Sequence, residues 1–262
     1  MALFQGSVRS ECLGMQTNLA VFLPDGYNTL TQAPKRVLYL LHGLTDGYTG
    51  WLLGTSVCRY AQAHNLAVIM PEGHRSFYCD VPHGSRYFSY VSQELPKIIA
   101  GLFRLENDPS HTYIAGNSMG GYGALKCYYA NPSRYAGCAA FSPVISVDET
   151  AAVLGEGGMY FDLAGLAPDG TPYPAEFDLR TFAAHFPDSL PAPHIIIGTE
   201  DFLYPQNIEF QLWLNARQIP CCFETSPGAH DWDFWDTQLN RVLNLWFSPD
   251  STPKKQFSEK YL

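Results

Sequence analysis

Tyr113-Ile114-Ala115-Gly116-Asn117-Ser118-Met119-Gly120-Gly121-Tyr122-Gly123-Ala124-Leu125 opens as a short apolar run, turns sharply, and continues in small residues. Tyr113 to Ala115 has the composition of a buried strand, and Gly121 to Ala130 reads as a helix. Between them Gly116-Asn117-Ser118-Met119-Gly120 is a Gly-x-Ser-x-Gly pattern. On a tight strand-to-helix turn such a serine is held in a strained conformation, with its hydroxyl clear of the sheet. The flanking glycines are needed because a Cβ there would collide within the turn. The helix also aims its free N–H groups, and the positive end of its dipole, at the atom under attack. The five-residue pattern alone arises by chance in glycine-rich chains; the strand before it and the small-residue helix after it make Ser118 a candidate nucleophile.

On either side of this turn, apolar runs alternate with helix-like segments, the signature of βαβ units and a mostly parallel sheet flanked by helices. Phe4 to Cys12 and Asn18 to Leu23 read as opening strands at an antiparallel edge. Arg36 to His42, Leu66 to Met70, Gly137 to Phe141, His194 to Gly198 and Cys221 to Thr225 read as further strands. Ser56 to His64, Ile208 to Arg217 and Trp232 to Phe247 read as helices. Val91, Leu95, Ile98, Ile99 and Leu102 also fall at helical spacing, and Pro96 among them implies a late start or a kink. Glu72 to Arg86 reads as irregular. Residues 142–190 are rich in Gly, Pro and acidic side chains, which predicts a small irregular insert over one end of the sheet. The tail, 248–262, is polar and is expected to fray. No linker or repeat is visible, so residues 1–262 are expected to form a single domain.

The chain has 262 residues, 46% of them hydrophobic, enough for one substantial core. A net charge of −9 argues against nucleic acid or anionic membrane as a partner, since both would repel it. No run approaches a membrane span, and the first residues lack the basic and apolar regions of a secretory signal. The seven cysteines form no C-x-x-C and are odd in number, which fits free thiols in a reducing cytoplasm.

A serine hydroxyl becomes nucleophilic when a base takes its proton and a carboxylate holds the base's other nitrogen. On this kind of sheet the chain order is serine, acid, histidine, with the last two on loops after late strands. Asp201 directly follows the strand His194 to Gly198, with Glu200 as its rival one position earlier. Of the eight histidines only His230 stands after Asp201, between the last strand and the last helix. His42 closes an early strand, where a structural role near the oxyanion loop is expected. The oxyanion needs donors already aimed at it. The backbone N–H of Met119 is one expected donor, and that of Leu44, in His42-Gly43-Leu44, is expected to be the other. Asp231 reads as a helix N-cap. Trp51, just downstream of the oxyanion loop, is a candidate for the wall of a substrate pocket, with a place in the core as the alternative.

His42-Gly43-Leu44 through Trp51, Ser118 to Gly123, Gly198-Thr199-Glu200-Asp201-Phe202 and His230-Asp231-Trp232-Asp233-Phe234-Trp235 together resemble the esterase D-like branch of the α/β-hydrolases. Within it the likeness is greatest to the tributyrin esterases, small cytoplasmic carboxylesterases. The resemblance spans nearly the whole chain. It implies the α/β-hydrolase fold, the Ser118, Asp201 and His230 triad, the Leu44 and Met119 donors, a small-molecule ester as substrate, and neither cofactor nor metal. Such enzymes act on short-chain acyl esters, including sugar acetates, and some on phenolic acid esters such as ferulates. S-formylglutathione hydrolases are similar around the nucleophile but usually carry histidine where this chain has Tyr122. An acyltransferase using the same triad is the other alternative. Oligomeric state, including a homo-oligomer, is left open.

Overall fold

The computed structural model describes residues 1–25, 36–81, 83–154 and 175–247. The tail 248–262 and the middle of the insert, 155–174, lie outside the described residues, and so do the expectations that fall on them.

Among the described residues, eight strands form one sheet in the order β1-β2-β4-β3-β5-β6-β7-β8. β1 (Ala2–Ser10) and β2 (Met15–Leu23) pair as an antiparallel hairpin, and β2 lies antiparallel to β4 (Leu66–Pro71). β3 (Arg36–Leu41), β5 (Thr112–Asn117), β6 (Gly137–Phe141), β7 (His194–Gly198) and β8 (Cys222–Ser226) run parallel to one another and to β4.

The near-continuous apolar runs follow from burial on both faces. In β3, Val37, Tyr39 and Leu41 pack into one core, while Leu38 and Leu40 pack into the other. α1 (Gly50–Gly54), α2 (Val57–Ala63) and α9 (Trp232–Phe247) cover the second face. The first is covered by α3 (Tyr87–Ser89), α4 (Leu95–Phe103), α5 (Met119–Ala130), α7 (Leu179–Ala183) and α8 (Tyr204–Ala216). No helix among the described residues is long and apolar enough to cross a membrane.

Pro96 sits in the first turn of α4, as a late start requires, yet the chain upstream is already helical. A π-helical stretch, Tyr90–Glu94, joins α3 to α4. A proline has no N–H for the carbonyl four residues back. That carbonyl, on Ser92, instead accepts from the guanidinium of Arg134. α8 starts at Tyr204, ahead of the expected Ile208, because Pro205 is well placed in a first turn where its N–H is not needed. The described part of the insert is more regular than its composition suggests. It contains α6 (Val147–Leu154), the 3-10 turn Ala175–Phe177 and α7, with a β-bridge between Ser146 and Asp178.

From β3 the chain builds outward to β4, then returns to place β5 on β3's other side. Ligands of open α/β sheets bind at such a reversal, outside the carboxyl ends of the strands. The turn carrying Ser118 leaves β5 there, beside the loop that leaves β3.

Candidate active site

Ser118 stands between β5 and α5 with φ 53° and ψ −119°, a conformation a non-glycine residue adopts only under constraint. The constraint is packing and hydrogen bonding around the turn. A Cβ on Gly116 would overlap the backbone of Gly120, and one on Gly120 would overlap the carbonyl of Leu41, so the helix can approach the sheet only with glycine at both places. The Ser118 N–H donates to Phe141 O at 2.9 Å, and its carbonyl accepts from the Tyr122 N–H at 3.0 Å. The serine side chain is left half-buried at the carboxyl end of β5, in the middle of the sheet.

Three distant side chains meet here. Ser118 Oγ lies 3.0 Å from His230 Nε2, and His230 Nδ1 lies 2.8 and 3.0 Å from the two Asp201 oxygens. A carboxylate accepts, so the proton belongs on Nδ1, leaving Nε2 free to accept from the serine hydroxyl. The Asp201 carboxylate is out of contact with solvent and also accepts the Leu203 N–H at 2.8 Å. Glu200, its rival in sequence, is exposed and bonds to Thr199 and to the Gly228 N–H. The His230 ring is wedged between Phe202 and Trp235, with ring centroids 4.6 and 5.0 Å away. Asp231 caps α9, accepting the Phe234 N–H at 2.9 Å.

The loop after β3 reaches the nucleophile. A Cβ on Gly43, the residue before Leu44, would lie 3.6 Å from the Ser118 Cβ. Met119 opens α5, where first-turn N–H groups have no intrahelical acceptor.

Trp51 does not line the site. Its side chain is 1% exposed in the core beneath the sheet, its indole N–H donates to Leu41 O at 2.9 Å, and its ring packs against Phe141 and Trp232. The indole is drawn in by its bond to the last carbonyl of β3 and by the edge contacts with Phe141 and Trp232, an alternative the sequence had left open. Phe202, exposed by 42%, is the aromatic surface beside His230. Sequence reasoning also passed over Glu72, at the end of β4. Burial works to raise its pKa, but the adjacent His42 ring and hydrogen bonds from the His74 and Tyr48 N–H groups outweigh that and hold it at about 2. An acidic residue directly after a fully buried strand was the signal available.

Residues 10–184 match the esterase family, described as "Putative esterase". An acetyl esterase of Caldicellulosiruptor saccharolyticus is 27% identical over 95% of this chain and 98% of its own. The fluorophosphonate-binding serine hydrolase F of Staphylococcus aureus, solved with substrate bound, is 31% identical, with TM-score 0.80 over 94% of this chain and 98% of its own. The S-formylglutathione hydrolase of the same organism is 30% identical, with TM-score 0.78 and the same coverage. The chain therefore belongs to the esterase family of α/β-hydrolases and is a serine esterase, a hydrolase of carboxylic esters.

Proposed function

We propose that the chain hydrolyses small, short-chain acyl esters through an acyl-enzyme on Ser118. As Ser118 Oγ attacks the acyl carbon, His230 Nε2 takes its proton and Asp201 stabilises the imidazolium and fixes its orientation. The backbone N–H groups of Leu44 and Met119 donate to the oxyanion of the tetrahedral intermediate. His230 then gives the proton to the departing alcohol oxygen. A water deprotonated by the same imidazole attacks the acyl carbon, and the acid leaves as Ser118 regains its hydrogen. The observation that carries this reading is the continuous hydrogen-bonded line from Ser118 through His230 to the buried Asp201.

The likeness to an acetyl esterase over nearly the full length of both chains supports a small acyl group, and Phe202 offers an apolar wall for it. All seven cysteines are free thiols, which supports a cytoplasmic location. A thioester reading, with S-formylglutathione as substrate, is favoured by the likeness to the Staphylococcus aureus enzyme and uses the same acyl-enzyme chemistry. An acyltransferase would share the acyl-enzyme and differ only in the acceptor.

A panel of acetyl, butyryl, longer-chain and feruloyl esters beside S-formylglutathione tests the proposal. The expected result is the highest kcat/KM on acetyl or butyryl esters, falling with acyl length. A kcat/KM for S-formylglutathione above all oxygen esters would replace this reading with the thioesterase. Product partitioning toward transfer on addition of small alcohols at low concentration would replace it with the acyltransferase.

A further inference from the structure

We propose that Glu72 is a positioning residue for the oxyanion donor Leu44, acting through His42. The inference rests on the reading of Leu44 as that donor. An N–H contributes to catalysis when it is aimed before charge develops, with no reorganisation left to do. A backbone N–H is aimed by fixing its peptide plane. Across a trans peptide the carbonyl and the N–H point in opposite directions, so whatever holds the Gly43 carbonyl also directs the Leu44 N–H.

Two donors hold that carbonyl: His42 Nδ1 at 2.7 Å and the Asp46 N–H at 3.2 Å. A carbonyl only accepts, so the His42 proton is on Nδ1. The ring's other nitrogen therefore accepts, taking the Gly73 N–H at 2.8 Å at the end of β4, and Glu72 Oε1 lies 3.1 Å from it as a neighbour without a proton between them. The same Oε1 accepts the His74 N–H at 2.9 Å, and Oε2 accepts the Tyr48 N–H at 3.3 Å. Both side chains are buried, His42 at 1% and Glu72 at 8% exposure.

One carboxylate therefore ties both ends of the 43–48 loop to the end of β4. It reaches Tyr48 directly, and Gly43 by way of the 72–74 turn: Glu72 Oε1 holds the His74 N–H, and the Gly73 N–H of that turn holds the imidazole that bonds to the Gly43 carbonyl. The fit between them is close: a Cβ on Gly47 would stand 2.9 Å from Glu72 Oε2. The His42 carbonyl is held as well, by the Tyr78 hydroxyl at 3.1 Å. Glu72 touches none of the reacting atoms, so its contribution is to the aim of the loop.

Glu72→Gln tests this. The amide keeps the volume but must point an N–H₂ group at a donor. The expected result is a fall in kcat of about 10–100-fold, less than the loss of a whole oxyanion donor, with KM changed less than about threefold. Affinity for a trifluoromethyl ketone, whose adduct carries the oxyanion, should fall by the same factor as kcat/KM. Glu72→Asp retains the charge at shorter reach and should recover much of the loss. If Glu72→Gln does not fold, Glu72→Asp carries the test alone, with the same split between kcat and KM and a fall of about 3–10-fold. A folded variant with kcat and ketone affinity within twofold of wild type would overturn the proposal, and so would a fall in kcat that leaves ketone affinity unchanged. Ser118→Ala assayed alongside separates the two readings. Activity surviving in that variant removes the acyl-enzyme itself, whereas its loss beside an unaffected Glu72→Gln removes only the role of Glu72.

Discussion

Gly198 and Gly228 meet backbone against backbone, so closely that a Cβ on Gly198 would overlap the Gly228 carbonyl. Gly198 ends β7 three residues before Asp201, and Gly228 lies two residues before His230. The contact is reinforced on both sides. Thr199 N–H donates to Ser226 O at 3.0 Å, Glu200 N–H to Gly228 O at 3.0 Å, and Gly228 N–H to the Glu200 carboxylate. The loop of the acid and the loop of the base thus form one unit, and Glu200 serves as its clasp.

Gly198→Ala should therefore push the two loops apart and misplace His230 against Asp201. Displacements of about 1 Å at a reacting centre cost about 100-fold in rate, and a kcat loss of that order is expected in a protein that still folds. Steady-state kinetics with circular dichroism checks it. An unchanged kcat would mean that the two loops are held independently.

Ser118 gives a prediction that separates stability from chemistry. Its φ of 53° costs about 1–3 kcal/mol in a residue with a Cβ. Ser118→Ala keeps that strain and loses the nucleophile, whereas Ser118→Gly loses both. Turnover should fall by about six orders of magnitude in each. Ser118→Gly should nonetheless melt about 2 °C or more above Ser118→Ala, given the few degrees per kcal/mol usual at this size. Equal melting temperatures would show that the turn stores no strain at the serine.

The chemistry was legible where it is local in sequence. A serine between close-packed glycines, an aspartate at a strand end and the one histidine beyond it are each read within a few residues, and the structure brings Ser118, His230 and Asp201 together. What was not legible depends on partners far along the chain or on the direction of a helix. Glu72 lies against residues 24 and 30 positions away, Tyr48 and His42, and nothing beside it in sequence announces them. An indole just after an oxyanion loop reads the same facing a pocket or a core; only its burial against Phe141 and Trp232 distinguishes the two. Pro96 implied a late start or a kink, and nothing beside it in sequence announced the π-helical turn before it or the Arg134 guanidinium, from a different element, that serves the Ser92 carbonyl.

Acid stability follows from Glu72, whose pKa is about 2 against an ordinary 4.5. A carboxylate depressed in the folded state stabilises the fold above its unfolded pKa, and that stability is lost as pH falls through the folded value. The expected loss runs from about pH 4.5 to about pH 2. Glu224 is held at about 2 by the His194 ring nitrogen 3.7 Å away and by the Arg241 guanidinium at 2.8 Å; it should contribute less, because it is over a third exposed. Denaturant titrations across this window should show a shallower slope of stability against pH in Glu72→Gln than in wild type. Parallel slopes would mean that the carboxylate is not held down by its neighbours.

Trp51 and Phe202 should behave in opposite ways. Trp51→Phe leaves the Leu41 carbonyl without its buried donor and thins the packing against Phe141 and Trp232. The expected cost is about 1–3 kcal/mol of stability, with the ranking of acyl chain lengths unchanged. Phe202→Ala removes an exposed ring beside His230, so little stability is at stake, while KM should rise and the discrimination among acyl lengths should weaken. Melting curves and kcat/KM across acetyl, butyryl and hexanoyl esters decide between the two roles. A change of chain-length preference in Trp51→Phe, with none in Phe202→Ala, would return the pocket wall to the indole.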